Sequence, residues 1–313
     1  MEGHRQSFRS GLVWNCLFVL PFWLQTVWHH LGGKGQPYII SVADGSRLIG
    51  LAPLSIDGHT AYFLGNPEVC DYQDIVTVAG RETEVMDAVG SHLRASGVQQ
   101  MDLKTLHPDA VALKALRALE LQSNRVLSVE PDDVTYETTL PASWDDYLKQ
   151  MNGKQRHEVR RKMRRLESSG SVAYRLADKS DTLENAIDQF LRLFQMNRTD
   201  KADFMNETMS AYFRELIKAL ADQKMLRLYF LEVAGNTAAT VLCFDYNQVR
   251  YLYNSGYDDH YQELSVGILS KVLSIQTGIE TGCRRFDFLK GAEIYKKRLG
   301  GQAVPLYRCK LTL

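Results

Sequence analysis

The segment FDFLKGAEIYKKRLGG, from Phe286 to Gly301, concentrates residue types that could do chemistry. A strand-like run breaks at Gly291, and an acid, a phenol and three cations follow it: Glu293, Tyr295, Lys296, Lys297 and Arg298. A carboxylate can take a proton, a phenol can donate one, and cations attract anions. Together with Asp287 near its start, the segment predicts one wall of a site that moves protons beside an anionic substrate.

A helix start just before this segment predicts an anion site. In QELSVGILSKVLSIQTGIETG, Ser265 stands at a predicted N-cap and Gly267 in the first turn. Such a terminus presents N–H groups and a partial positive charge, and a glycine lets a phosphate approach the backbone closely. The residues proposed to hold a phosphate are Leu264, Ser265, Val266, Gly267, Ile268 and Lys271. The alternative is an ordinarily capped helix on a sheet, whose buried face is Ile268, Val272, Ile275 and Ile279.

The third candidate is a basic helix in GKQRHEVRRKMRRLESSG, from Gly153 to Gly170. This stretch holds seven lysine and arginine residues and two glutamates, and Val159, Met163 and Leu166 recur at helical spacing. Most charge runs are solvated helix faces, but this density also suggests an anionic substrate. The residues predicted to bind substrate are Lys154, Arg156, Arg160, Lys296 and Lys297.

Two similar α/β units must position these residues. Tyr38 to Ile56 and Leu226 to Tyr246 each predict a hairpin, with turns at Asp44-Gly45 and Gly235-Asn236. Each hairpin precedes a predicted helix and a short strand, GVQQMDL in one half and GCRRFDF in the other. The matching order predicts two domains, residues 1–130 and 131–313, with a cofactor site only in the second. Asp102 then corresponds to Asp287, so Asp287 could instead bind backbone donors at a strand end in both copies.

Composition excludes several classes of protein. The 313 residues carry 37 basic and 37 acidic side chains, so global charge predicts neither nucleic acid nor membrane as a partner. Five scattered cysteines without a C-x-x-C pair argue against disulfides and against a zinc site, and favour a reducing cytoplasm. The apolar stretch from Ser10 to Trp28 approaches the length of a membrane span, but Pro21 fits better as the first residue of an amphipathic helix that Gly32 and Gly33 end.

Motif searches narrow the chemistry further. The chain has no G-x-S-x-G, no phosphate loop, no G-x-G-x-x-G and no H-E-x-x-H motif, and we predict no metal site. The run YNSGYDDHYQELSVGILSKVL, together with GIETGCRRFDFLKGAEIYKKRLG, resembles the closing half of CelD-like acyltransferases of the GNAT superfamily. This family is also similar to Fem-type peptidoglycan aminoacyltransferases. The likeness extends to the basic helix and to the first hairpin.

The resemblance implies tandem GNAT-like domains in an α/β (α+β) fold, each a mixed, mostly antiparallel sheet flanked by helices. It implies acyl transfer from acetyl-CoA or another acyl-CoA to an amine or hydroxyl of a sugar, polysaccharide or cell-envelope precursor. In such a site Glu293 or Asp287 would act as base and Tyr295 would protonate the departing thiolate. The usual GNAT pyrophosphate motif is absent, because ELSVGIL has only one glycine.

Two other functions remain open. One is a Fem-type aminoacyltransferase, in which the basic helix would handle tRNA or an anionic lipid-linked precursor. The other is a non-catalytic scaffold for polysaccharide synthesis. We expect a cytoplasmic protein, with a position at the inner face of the membrane as an option; the sequence does not predict the oligomeric state.

Overall fold

The computed structural model describes residues 11–122, 126–177, 182–196 and 204–313, with Gln122 described for its backbone only. Contacts divide the chain into two compact units, Met1–Val134 with Val304–Leu313, and Thr135–Ala303. The predicted domains instead separated 1–130 from 131–313, so the contact division differs near the boundary and at the last strand. No helix in the described ranges is both long and apolar enough to cross a membrane.

The first unit holds a mixed sheet whose strand order is β1-β5-β3-β4-β6-β13, with β2 also paired to β3. Its elements follow in chain order: β1 (Leu12–Val13), a 3-10 turn (Leu17–Val19), α1 (Pro21–Leu31), β2 (Gln36–Asp44), β3 (Arg47–Asp57), β4 (Thr60–Phe63), β5 (Val76–Val78), α2 (Glu82–Ala95), β6 (Gln100–Leu106), α3 (Val111–Gln122) and β7 (Leu127–Thr139). The last strand of the chain, β13 (Gln302–Thr312), completes this sheet by pairing antiparallel with β6. β7 runs across the boundary between the units.

The second unit holds a sheet ordered β7-β12-β11-β10-β9-β8, to which β7 contributes from Thr135. Its elements are α4 (Trp144–Gln150), α5 (Gly153–Glu167), β8 (Val172–Leu176), α6 (Leu183–Met196), α7 (Glu207–Asp222), β9 (Leu226–Val233), β10 (Asn236–Tyr246), β11 (Val249–Tyr257), a 3-10 helix (Asp259–Leu264), α8 (Val266–Glu280), β12 (Arg285–Lys290) and α9 (Ile294–Arg298). Both units run hairpin, third antiparallel strand, helix, then a strand parallel to the third. The structure therefore confirms the predicted fold class, mixed and mostly antiparallel.

Local sequence explains the element boundaries that the sequence predicted. Pro21 begins α1 and Gly32, with φ of 63°, follows its last residue. Ser143 caps α4 by accepting a hydrogen bond from the N–H of Asp146 at 3.1 Å. In the second hairpin the turn residues are Ala234 and Gly235, one position before the predicted Gly235-Asn236, and both have positive φ, as a tight two-residue turn requires. These helices and hairpins are confirmed.

Asp102 and Asp287 lie in corresponding strands, β6 and β12, but bind different partners. The Arg308 guanidinium donates two hydrogen bonds of 2.6 Å to Asp102. Asp287 accepts a hydrogen bond from the N–H of Leu289 at 2.8 Å. The prediction that both aspartates bind backbone donors is therefore wrong for Asp102, because the guanidinium of Arg308 in β13 binds its carboxylate instead.

A buried arginine fixes α8 on the second sheet. Arg250 in β11 is fully buried, and its guanidinium donates two 2.8 Å hydrogen bonds to the Asp245 carboxylate. It also donates to the carbonyl of Ser274 at 3.0 Å and to the Thr277 hydroxyl at 2.7 Å, both in α8. Since a buried charge needs such partners, this network sets where α8 lies on the strands. The predicted single buried face of α8 was too narrow, because polar positions such as Ser270 and Ser274 are buried as well.

Candidate active site

The parallel strands β11 and β12 separate soon after they meet. They pair at Val249–Arg285, Arg250–Phe286 and Tyr251–Asp287, although β11 continues to Tyr257. Just beyond Tyr251, the register with β10 shifts so that Tyr253 is the extra residue of a β-bulge. A bulge bends its strand and disrupts the ladder, which explains why β11 diverges from β12 at this point. The sheet therefore opens between the two strands that flank α8.

The start of α8 differs in detail from the predicted cap. Ser265 occupies the N-cap position with φ of 58°, in the left-handed region, and its side chain makes no capping hydrogen bond. Its carbonyl accepts hydrogen bonds from the N–H groups of Ile268 and Leu269, each at 3.0 Å. The Ile268 N–H is thus already used within the helix, and an anion at this helix start would be held by the preceding N–H groups.

Gly267 is explained by packing against a tyrosine. A Cβ added at this position would lie 2.6 Å from a ring carbon of Tyr257, so the ring occupies the space that a side chain would need. Val266, the preceding candidate, is completely buried, and Leu264 lies half-buried at the end of the 3-10 helix. The close approach of a phosphate is therefore not needed to account for this glycine.

Lys271 is buried between the first turn of α8 and the ring of Tyr295, and it does not line the cavity beside them. Its side chain is 7% exposed, and its ammonium donates a 2.7 Å hydrogen bond to the carbonyl of Gly267. The same ammonium lies 5.1 Å from the centroid of the Tyr295 ring, within cation–π range. Lys271 thus joins the first turn of α8 to α9, and its charge is directed at Tyr295 and at the helix backbone.

A cavity of about 780 Å³ lies beside this helix start. Three elements form it: α5, the first turn of α8, and α9. The lining residues are Asn152, Lys154, Gln155, His157, Glu158, Val159, Arg161, Lys162, Ile268, Leu269, Tyr295, Arg298 and Leu299. The lining therefore contains four lysine or arginine side chains and one carboxylate, so the cavity is cationic.

Helix α5 supplies most of this charge. Asn152 caps it by accepting a hydrogen bond from the N–H of Gln155 at 2.9 Å, and its apolar residues Val159 and Leu166 are buried. On the cavity side, Glu158 pairs with Arg161 at 2.9 Å and with Lys162 at 3.6 Å. The hydrogen bond from Arg161 lowers the pKa of Glu158, so this carboxylate stays ionised and is a weak base.

Of the three predicted catalytic residues, Tyr295 is the one that lines the cavity. Its ring packs against Phe288, with centroids 6.4 Å apart. Burial, and secondarily the Glu293 carboxylate, raises the pKa of the phenol above its usual value. The phenol therefore remains protonated at neutral pH and can donate a proton or a hydrogen bond into the cavity.

The other predicted catalytic residues do not line the cavity. Asp287 is 1% exposed, and its Oδ1 accepts hydrogen bonds from the Leu289 N–H at 2.8 Å and from the Thr135 hydroxyl at 3.4 Å. Glu293 is exposed at the N-cap of α9 and pairs with Lys296 at 2.9 Å. Asp287 therefore matches the alternative reading of a strand-end aspartate, which helps to hold Leu289 at its positive φ.

Lys296 lies away from the cavity and is buried. Only 1% of the residue is exposed, although Lys297 and Arg298 beside it are exposed. Its ammonium donates hydrogen bonds to the carbonyls of Leu289 at 2.9 Å and Gly291 at 3.1 Å, and also to that of Lys290. These bonds and the Glu293 pair give Lys296 a structural role at the end of β12.

The predicted substrate-binding residues are only partly brought together. Lys154 lines the cavity, whereas Arg156 and Arg160 do not. Lys297 lies outside the lining, with its ammonium 5.7 Å from the Tyr136 ring centroid. Sequence reasoning missed the lining residues of α5 beyond Lys154, although Lys154, Glu158, Arg161 and Lys162 recur at i, i+4, i+7 and i+8, the spacing of one helix face.

Comparison with known proteins finds a family match for the second unit. Residues 153–297, which span α5 to α9, match the family model described as acetyltransferase (GNAT) domain. A search of curated protein sequences finds no match.

Solved structures extend the likeness to the whole chain. FemX is 12% identical with a TM-score of 0.65, covering 98% of this chain and 95% of FemX. L-PGS from Bacillus licheniformis is 10% identical with a TM-score of 0.59, covering 93% and 91%. A conserved protein of unknown function from Bacteroides thetaiotaomicron is 12% identical with a TM-score of 0.60, covering 93% and 90%. At such low identity these likenesses show the fold alone. The family match and the shared architecture confirm the resemblance found in the sequence: the chain has a GNAT fold, and residues 153–297 in its second unit match an acetyltransferase (GNAT) domain.

Proposed function

We propose that the chain transfers an acyl group from acyl-CoA to an amine or hydroxyl of a sugar, polysaccharide or cell-envelope precursor. The observation that carries this proposal is the cationic cavity, which brings the protonated phenol of Tyr295 together with Lys154, Arg161, Lys162 and Arg298. It lies beside the first turn of α8, which contributes Ile268 and Leu269 to its lining. Cations suit the phosphates of the donor, and an apolar lining that includes Ile268 and Leu269 suits its carbon chain.

In the proposed reaction the acceptor attacks the thioester carbonyl, the carbon–sulfur bond breaks, and sulfur leaves as a thiolate that must be protonated. We assign the delivery of that proton to Tyr295, because it is the predicted catalytic residue that lines the cavity and its phenol carries a proton at neutral pH. The first turn of α8 and the cavity cations would bind the anionic part of the donor.

The general base is a choice between residues. Glu293 and Asp287 are the candidates from the sequence, but neither lines the cavity; the cavity adds His157, which lines it and is exposed. Glu158 is less suitable, since Arg161 holds its pKa low. Single replacements Glu293→Ala, Asp287→Asn and His157→Gln should identify the base by a loss of turnover of at least ~10²-fold.

Titration of the full chain with acetyl-CoA in a calorimeter tests the donor. We expect micromolar binding, weakened about tenfold by Arg298→Gln, because one charge-assisted hydrogen bond is removed. Arg284→Gln is the matched control, an exposed arginine of the same unit outside the cavity, and it should bind like the wild type. Substituting Gly267 is a poorer test, since any side chain there collides with Tyr257.

The two other functions make different predictions for the same samples. A Fem-type aminoacyltransferase would give no acetyl-CoA heat but tight, salt-sensitive binding of tRNA, and the charge of α5 is the observation in its favour. A scaffold would bind neither acyl donor. Absence of acetyl-CoA binding would therefore reject the favoured donor, and the tRNA titration would then separate the remaining alternatives.

A further inference from the structure

Three cations line the cavity or lie beside it and have no acidic partner among the described residues; we call the side of the cavity that they mark its mouth. Lys154 and Arg298 line the cavity, and Lys297 is exposed beside Arg298. Among the described residues, none of these three has a carboxylate within ion-pair distance, whereas Arg161, Lys162 and Arg165 of α5 do pair with glutamates. The mouth thus presents positive charge that the fold itself does not neutralise.

An exposed isoleucine lies among these cations. Ile294 is 63% exposed, the most exposed large apolar side chain among the described residues of the second unit. Ile294, Lys297 and Arg298 stand at i, i+3 and i+4 in α9, and therefore share one helix face. Gln155, next to Lys154, donates a 3.3 Å hydrogen bond to the carbonyl of Lys297, which places the start of α5 against α9. We name Lys154, Ile294, Lys297 and Arg298 the basic rim.

An apolar tip surrounded by unpaired cations has the chemistry of an interfacial membrane contact. Anionic headgroups attract the cations, while the isoleucine inserts at the boundary with the acyl chains. A nucleic acid offers a similar negative charge but no apolar layer for the isoleucine, so phosphate contacts would leave Ile294 in water.

We propose that the basic rim docks the protein on an anionic lipid bilayer, with the cavity mouth facing the headgroups. This inference rests on the proposed function in one respect: if the cavity is the active site, the acceptor is a lipid-linked or membrane-associated molecule. Docking itself requires no acyl donor. It can therefore be measured, and can fail, independently of the transfer reaction.

Vesicle co-sedimentation of the full chain tests the proposal. The wild type should bind phosphatidylcholine vesicles that contain phosphatidylglycerol, and should not bind pure phosphatidylcholine. Lys297→Gln should weaken binding about fivefold, the usual contribution of one cation near such a surface. Ile294→Ser should weaken it by about fivefold to tenfold through the lost apolar contact. Neither residue lines the cavity, so both variants leave its lining intact.

Two matched controls separate docking from general effects of charge and hydrophobicity. Arg284→Gln removes an exposed arginine elsewhere in the second unit, and Leu121→Ser removes an 89% exposed leucine in the first. Both should bind the vesicles like the wild type. Binding that Arg284→Gln weakens as much as Lys297→Gln would overturn the assignment to the rim.

Total tRNA is the competing polyanion, and its binding is compared with that of the vesicles in the same assay. Docking on lipid is rejected if the wild type ignores anionic vesicles, or if it binds tRNA more tightly and Ile294→Ser changes neither affinity. The acetyl-CoA titration without vesicles reports separately on the proposed function. Vesicle binding without acetyl-CoA binding would support docking and reject the donor, and the reverse result would do the opposite.

Discussion

Replacing Lys296 by methionine should destabilise the second unit strongly, because this lysine supports a strand end. Its ammonium is buried, donates to the carbonyls of Leu289, Lys290 and Gly291, and pairs with Glu293. Methionine has a similar length but no donor, so the carbonyls of Leu289, Lys290 and Gly291 lose the hydrogen bonds from this ammonium. Removing one member of a buried ionic group costs about 3–5 kcal/mol. Since Lys290 and Gly291 are half-buried and water can reach part of this site, we expect about 3 kcal/mol.

Urea denaturation of the full chain, followed by circular dichroism, measures this loss of unfolding free energy. The control is Lys297→Met, the same change at an exposed neighbour, which should alter the free energy by less than about 0.5 kcal/mol. A Lys296→Met protein within about 1 kcal/mol of the wild type would refute the structural role. A stable variant that instead loses acetyl-CoA binding would show that Lys296 binds substrate, as its sequence neighbourhood suggested.

Three further predictions test packing, pH dependence and catalysis. Gly256→Ala should lower the free energy of unfolding by about 3 kcal/mol or more in urea denaturation, because its Cβ would lie 2.4 Å from the backbone of Leu193. The control is Gly278→Ala in α8, where an added Cβ has no contact closer than 3.6 Å; it should be neutral or stabilising by up to about 1 kcal/mol. Burial raises the pKa of Asp74 from 3.8 to about 6, so its carboxyl binds protons more tightly in the folded than in the unfolded chain, and its contribution to stability is lost as pH rises from about 4 to 6. This difference of about 3 kcal/mol should appear when wild-type and Asp74→Asn stabilities are compared across that range, and a constant difference would contradict it. Tyr295→Phe should lower turnover by about 10²-fold or more while acetyl-CoA binding is retained, and unchanged turnover would remove Tyr295 from the mechanism.

Local signals in the sequence predicted the elements and the repeat. A turn glycine such as Gly45, an N-cap such as Ser143 and a proline such as Pro21 act on their immediate neighbours, so their effect can be predicted without the rest of the chain. The first turn lies at Gly45-Ser46, one position after the predicted pair Asp44-Gly45. The same order of hairpin, helix and strand occurs once in each half of the sequence. The paired strands of the structure confirm both hairpins. The strand with which β13 pairs could not be predicted, because its pairing with β6 joins residues about two hundred positions apart in the sequence.

The candidate site was less predictable because burial decides which cations are available. Lys296, Lys297 and Arg298 are equivalent as a sequence, yet the first is buried against carbonyls, the second is exposed outside the cavity, and the third lines it. The short helix α9 rotates consecutive side chains into different directions, so adjacent residues acquire different roles. The bulge at Tyr253 likewise depends on the register of three strands.

The two units differ at the helix that precedes the parallel strand, and this difference bears on where an anion binds. In the first unit the parallel strands β4 and β6 pair only at Thr60–Gln100 and Ala61–Met101, so limited parallel pairing is common to both copies. Charge is not common to both: the first turn of α2 contains Glu82 and Glu84, whereas the first turn of α8 contains no acid. Carboxylates at a helix start already occupy its favourable potential and repel a phosphate, while an acid-free start leaves that potential for a ligand. This contrast favours the second copy as the site of the acyl donor, by electrostatics rather than by fold.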